Sequence, residues 1–234
     1  MPARRLLASS LALAAATATR AELLPPASAR ELPRGFAVLD ERDHPQDLRE
    51  MTSGAPALIL PMFTRCGGTC PLTALALKEA LARARAPFRV IALSFDADDT
   101  AKDLEDFRER FALPAEWRTV RGSDPAATRA FLDRLEFRFM KAGEGFDHPA
   151  RTFVVSPRGT WAATLLGTRF SGAELEVAWR RASTAGDPAP LPRLRAWLIR
   201  PEAWILLACA GLSLSICAVL LLARRGGLPA RRGN

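Results

Sequence analysis

Few side chains in this sequence can ligate a soft metal or act as a soft nucleophile: its 234 residues include four cysteines and two histidines. Cys209 and Cys217 lie in a long uncharged run, where a thiol serves as a small apolar side chain. Only Cys66 and Cys70 remain. In an oxidising compartment such a lone pair is a disulfide, a metal site or a redox couple. A basic excess is also missing where a nucleic acid would need one. The formal charge of +8 belongs to the two ends of the chain, since Glu22 to Pro190 holds 23 Lys and Arg against 24 Asp and Glu. Nucleic-acid binding is excluded on that ground, and no internal repeat is present.

Long uncharged runs occur near both termini. "MPARRLLASSLALAAATATRAELLPP" sets Arg4 and Arg5 before an apolar stretch from Leu6 to about Ala16, with small residues at Ala16, Ala18 and Ala21. This layout predicts a secretory signal peptide over residues 1–21. A mitochondrial transit peptide fits less well, because the continuous Leu/Ala block is not amphipathic. "AWILLACAGLSLSICAVLLLA", residues 203–223, is 21 residues without a charge, matching the roughly 20 needed to span a bilayer core. Arg224, Arg225, Arg231 and Arg232 follow it, so the positive-inside bias places a basic tail, 224–234, in the cytoplasm. Both signals predict a single-pass protein of the cell membrane, tethered by its C-terminal helix, with its domain on the periplasmic or extracytoplasmic side.

Between these ends the sequence reads as a Pro-rich lead-in (22–35), a domain (36–183) and a Pro-rich tether (184–202). "APALILPMF" and "FRVIALSF" are short apolar runs that predict buried strands. "PLTALALKEALARARA" and "DTAKDLEDFRERFAL" predict helices, the first with Leu72, Leu75, Ala76 and Leu81 as its apolar stripe. A shorter helix is expected from about Pro125 to Leu135, then the loop "FRFMKAGEGFDHPA", a hairpin "RTFVVSPRGTWAATLLG" and a last helix opened by Ser171. Alternating strand and helix implies a parallel pair joined by a right-handed crossover, and an α/β fold with helices on both faces.

The segment "FTRCGGTCPLT" falls where the first strand ends and its helix begins, the edge at which open α/β folds bind ligands. A helix N-terminus also favours a thiolate. Gly67 and Gly68 are expected to turn the loop tightly and expose both sulfurs, and Pro71 suits the first helical turn. Two thiols alone leave metal binding, redox exchange and structural pairing open. His44, in "DERDHPQDL", sits in a polar turn and reads as a solvated surface residue. His148, in "GEGFDHPARTFVV", immediately precedes a strand, from which it can reach the strand-to-helix junction. A Cys-Cys-His set suits Cu(I), whereas Zn(II) ordinarily takes a fourth ligand that no third domain cysteine or nearby histidine supplies.

Three pieces, "LILPMFTRCGGTCPLT", "VIALSFDADDT" and "FDHPARTFVVSPRG", resemble the Sco/SenC family in order and content across about Phe36 to Ser183. The resemblance implies a thioredoxin-like fold, a central mixed sheet flanked by helices. It also implies a membrane-tethered chaperone that carries copper, as Cu(I) or alternatively Cu(II), for cytochrome c oxidase assembly. Cys66, Cys70 and His148 would be the ligands and Asp96 a supporting acid near the site. Copper donor and recipient proteins, an oxidase subunit among them, would be the partners. The sequence departs from that pattern in its Gly-Gly-Thr spacer, in Arg65 beside the thiols, in a C-terminal anchor, and in a short region before the motif where a complete hairpin is not expected.

A second reading is a thiol-disulfide oxidoreductase in which Cys66 attacks and Cys70 resolves, chemistry that needs a thiolate and no histidine ligand. A peroxide-reducing variant lacks the Thr-x-x-Cys setting and Arg partner. A scaffold stapled by a Cys66–Cys70 disulfide is the remaining alternative. His148 separates the first two.

Overall fold

The computed structural model describes residues 23–24, 26 and 30–186. The expected signal peptide (1–21), the uncharged run (203–223), the basic tail (224–234) and the tether from 187 onward lie outside the described residues. Among the described residues no helix is long and apolar enough to cross a membrane.

In chain order the strands are β1 (Leu23–Leu24), β2 (Arg30–Glu31), β3 (Ala37–Leu39), β4 (Pro45–Asp47), β5 (Ala57–Met62) and β6 (Arg89–Ser94). They continue with β7 (Arg118–Gly122), β8 (Met140–Ala142), β9 (Gly145–Asp147), β10 (Arg151–Val155) and β11 (Thr160–Leu166). The helices are α1 (Leu48–Met51), α2 (Thr69–Arg83), α3 (Ala101–Arg110), α4 (Pro125–Arg134) and α5 (Gly172–Thr184). The main sheet is mixed and runs β1-β11-β10-β5-β6-β7-β3-β4, with β2 also on β11. β5, β6 and β7 are parallel; every other pair in that sheet is antiparallel.

All six residues of β5 are buried, as a parallel strand covered on both faces requires. β10 pairs with β5 in the register Phe153↔Ile59, Val154↔Leu58, Val155↔Ala57. Continuing that register five residues back from Phe153 reaches His148, and five residues on from Ile59 reaches Thr64. The antiparallel pairing therefore delivers His148 to the loop that carries Cys66.

Four sequence expectations are corrected. The lead-in is not merely a linker, because β1 and β2 both pair along β11. The region before the motif does hold a hairpin, β3–β4. The loop before His148 closes into the hairpin β8–β9. β7 was not expected at all, since Arg118 and Arg121 interrupt its apolar run, although Thr119 and Val120 are buried.

α2 faces the core with Cys70, Thr73, Ala74, Leu77 and Ala80, a stripe at helical spacing. The stripe expected from the leucines is rotated away from it: Leu72 is 59% exposed, and Leu75 and Ala76 are only half-buried. Small side chains let the helix lie close to the sheet, so the buried face is set by alanines and not by the largest apolar residues. α5, capped by Ser171 through a capping box with Glu174, packs on α2, β10 and β11.

The described chain ends at Gly186, whose carbonyl accepts from Arg158 Nη1 at 3.0 Å. Arg158 lies in the turn between β10 and β11, at the amino end of β5.

Leu77→Ala should cost about 2–5 kcal/mol, the range for truncating a buried leucine, whereas Leu72→Ala should stay within about 0.5 kcal/mol. Urea denaturation of the reduced protein measures both. Equal losses would mean that α2 packs on its leucine stripe after all.

Candidate metal centre

After β5 the chain keeps two buried residues, Phe63 and Thr64, before it turns. The turn is closed by Cys66 N–H donating to the Phe63 carbonyl at 3.2 Å. Asp99, itself buried, holds the turn from outside the motif: its carboxylate accepts from Thr64 N–H at 2.9 Å, Thr64 Oγ1 at 2.5 Å and Ser94 Oγ at 2.5 Å. Three bonds satisfy a group that would be costly to bury without them.

Gly68 is the N-cap of α2 and offers no side-chain acceptor to the free N–H groups of the first turn. A sulfur supplies one, since Cys70 N–H donates to Cys66 Sγ at 3.4 Å. The helix start thus presents N–H groups and the positive end of its dipole to that sulfur. Neither Gly67 nor Gly68 has a positive φ, and a Cβ at either would meet nothing within 4 Å. The expectation that these glycines expose both sulfurs is corrected: Cys66 is half-buried, but Cys70 is only 1% exposed.

His148 closes the group. Its Nε2 lies 3.5 Å from Cys70 Sγ, and Nδ1 lies 3.2 Å from the Pro149 carbonyl. A carbonyl only accepts, so Nδ1–H donates to Pro149, and Nε2 is the ring nitrogen that faces the thiols. The ring is edged by Phe63, Phe95 and Phe137, with centroids 5.9, 5.4 and 5.7 Å away. Phe139 and Phe146 stand behind Phe95. One ligand atom each from Cys66, Cys70 and His148 lies within 4.8 Å of the others.

The other sequence candidates sit elsewhere. His44 is exposed and lies 3.7 Å from Asp40. Asp96 is buried, but its carboxylate is occupied by Arg65 Nη2 at 2.5 Å, and it is not in the three-residue group. Arg65 also reaches Asp98 at 3.7 Å. The positive charge expected beside the thiols is therefore neutralised by carboxylates, and the pair ties the motif loop to the end of β6. Asp99 and the phenylalanine wall were not identified from sequence. The i, i+2 spacing of Phe137 and Phe139 was the available signal for part of the wall; nothing local marks Asp99 as different from Asp98.

The two thiols are free and share one proton unequally. A hydrogen bond from Cys70 is the main reason the Cys66 pKa falls from the ordinary 9.0 to about 4. Burial opposes the shift, and His148 and the Cys70 and Gly68 N–H groups assist it. The Cys70 pKa is pushed up, first by its bond to Cys66 and then by burial. Burial disfavours the charged form of His148, yet the Cys66 thiolate and the Pro149 carbonyl outweigh it and raise the pKa above 6.5. A thiolate, a protonated thiol and an imidazole lone pair in an aromatic pocket make a soft donor set that can hold a soft metal ion.

The SCO1/SenC family model matches residues 25–178. A crystal structure assigned to electron transfer in Aquifex aeolicus VF5 is similar at 27% identity and a TM-score of 0.62, over 67% of this chain and 95% of that one. BsSco, a Sco-family protein described with a disulfide switch, is similar at 21% identity and a TM-score of 0.55, over 70% and 98%. Bradyrhizobium japonicum ScoI, solved with copper bound, shows the same fold at 18% identity and a TM-score of 0.53, over 65% and 99%. No curated protein matches the chain significantly.

Ultraviolet thiolate absorbance of the reduced, metal-free protein should show one thiolate that persists down to about pH 4 and is lost below it. The second should form only in strong alkali. Cys70→Ala should move the first step up toward the ordinary thiol value; a step that stayed in place would show that Cys70 is not its cause.

Proposed function

The chain belongs to the SCO1/SenC family, and on that footing we propose that it binds copper through Cys66, Cys70 and His148 and delivers it to a partner protein. The observation that carries the reading is the convergence of two sulfurs and an imidazole nitrogen within 4.8 Å. The copper in Bradyrhizobium japonicum ScoI supports it, as does copper in Arabidopsis thaliana ScoI. The description of BsSco as one of the cytochrome c oxidase assembly proteins supports an oxidase subunit as the recipient. The uncharged run at 203–223 and its arginine flank support a membrane tether with the domain on the extracytoplasmic side.

Copper is the cargo, and the chain's own groups divide the work. Cys66 already carries the negative charge and is the thiol that solvent reaches. Cys70 must give up its proton when Cu(I) arrives, so binding releases a proton and strengthens as pH rises. His148 must be neutral to donate, and its raised pKa lets protons compete at higher pH than they would at a free histidine. The Pro149 carbonyl fixes the ring so that Nε2 points inward. The phenylalanines pack around the His148 ring and hold it in place. Delivery proceeds by ligand exchange, a partner's thiolates displacing these donors one at a time, Cys66 being more accessible than Cys70.

The unequal cysteines favour one other reading. An accessible low-pKa thiolate beside a buried protonated thiol is the arrangement by which Cys66 would attack a disulfide and Cys70 resolve the mixed intermediate.

The reduced protein should bind about one Cu(I) per chain, as three donors in one cluster imply. Competition with a chromophoric Cu(I) chelator should show His148→Ala weakening affinity by at least about tenfold, with Cys66→Ser or Cys70→Ser nearly abolishing it. Unchanged copper affinity in His148→Ala, together with reduction of a disulfide substrate by the wild type, would replace the copper reading with the redox one.

A further inference from the structure

Four large apolar side chains are exposed among the described residues: Leu24, Leu72, Met140 and Val177. Met140, at 66%, is the most exposed and the one that carries a soft donor atom. Phe139, just before β8, is buried in the aromatic wall, whereas Met140, the first residue of β8, is exposed. Across the β8–β9 hairpin Met140 pairs with Asp147, the residue before His148. Opposite residues of an antiparallel pair stand on one face with Cβ atoms about 4.5–5.5 Å apart, so thioether and carboxylate stand side by side. A groove of about 300 Å³ is lined by Arg138, Phe139, Met140, Asp147, His148 and Pro149, and it meets the three-residue group at His148.

We propose that Met140 is an entry and exit ligand for Cu(I), holding the ion in this groove before His148 and the two cysteines complete its coordination. The proposal rests on the reading of Cys66, Cys70 and His148 as the copper site. A thioether binds Cu(I) through a neutral sulfur and holds it less tightly than a thiolate does. Asp147 adds a negative charge at the groove mouth, while Arg138 opposes accumulation of cations there; together they suit passage and not storage. Copper stays Cu(I) throughout. The donor's ligand leaves with its own electron pair, a Met140 lone pair replaces it, and no proton moves because a thioether has none. The proton is released later, from Cys70, when its sulfur joins the metal.

The test compares full-length reduced wild type with Met140→Leu, a volume-conserving change at an exposed position. Stopped-flow transfer of Cu(I) from its bathocuproine complex should be about tenfold slower in the variant, with equilibrium affinity within about twofold. A rate like that of the wild type overturns the proposal, and so does a loss of affinity that fully accounts for the slower rate. Wild type that takes up no Cu(I) at all would instead overturn the reading of the three-residue site, and this proposal with it. A second measurement uses Ag(I), a redox-inert stand-in, on the Cys66→Ser, Cys70→Ser double variant with ¹³C-methyl methionine. The Met140 methyl signal should shift on titration; an unmoved signal overturns the proposal.

Discussion

The antiparallel pairing of β10 on β5 is the constraint on which the site depends. His148 is 78 residues from Cys70, and no local interaction could hold them together. The register does it: with Phe153 opposite Ile59, the residues before β10 run alongside the end of β5 and bring the imidazole to the motif loop. A slip of one residue would turn every side chain of β10 to the opposite face. Phe153, Val154 and Val155 are fully buried, so such a slip would set each into packing shaped for a different side chain. The hydrophobic packing of the strand thus also fixes where the donor nitrogen goes.

The rest of the site is arranged around a half-buried negative sulfur. The first turn of α2 has no capping side chain and uses Cys66 instead. The loop cannot drift from that position, because Asp99 holds Thr64 on one side and the Arg65–Asp96 pair holds it on the other. These two carboxylates do different work from a metal ligand. They hold the backbone of the motif loop that carries Cys66.

The three converging residues were legible from sequence because their scarcity made each one conspicuous: with two cysteines and two histidines outside the apolar run, few combinations existed. The central strands were legible for a similar reason, "ALILPM" and "RVIALS" being apolar throughout. What could not be read were features that depend on tertiary partners. β7 carries two arginines and is a strand because β6 and β3 pair with it. β1 and β2 are two residues each and exist because β11 has an edge to cover. α2 misled because its leucines are larger than its alanines, yet close approach to a sheet selects small residues. That Arg65, 31 residues away, engages the carboxylate of Asp96 was likewise not readable.

Gly186 and the thiols occupy opposite ends of the sheet. Gly186 is bonded to the β10–β11 turn, beside the amino end of β5, and Cys66 follows its carboxyl end. Six residues of strand, about 20 Å at the usual rise, separate the two. The described chain therefore ends at the edge of the sheet opposite the candidate site.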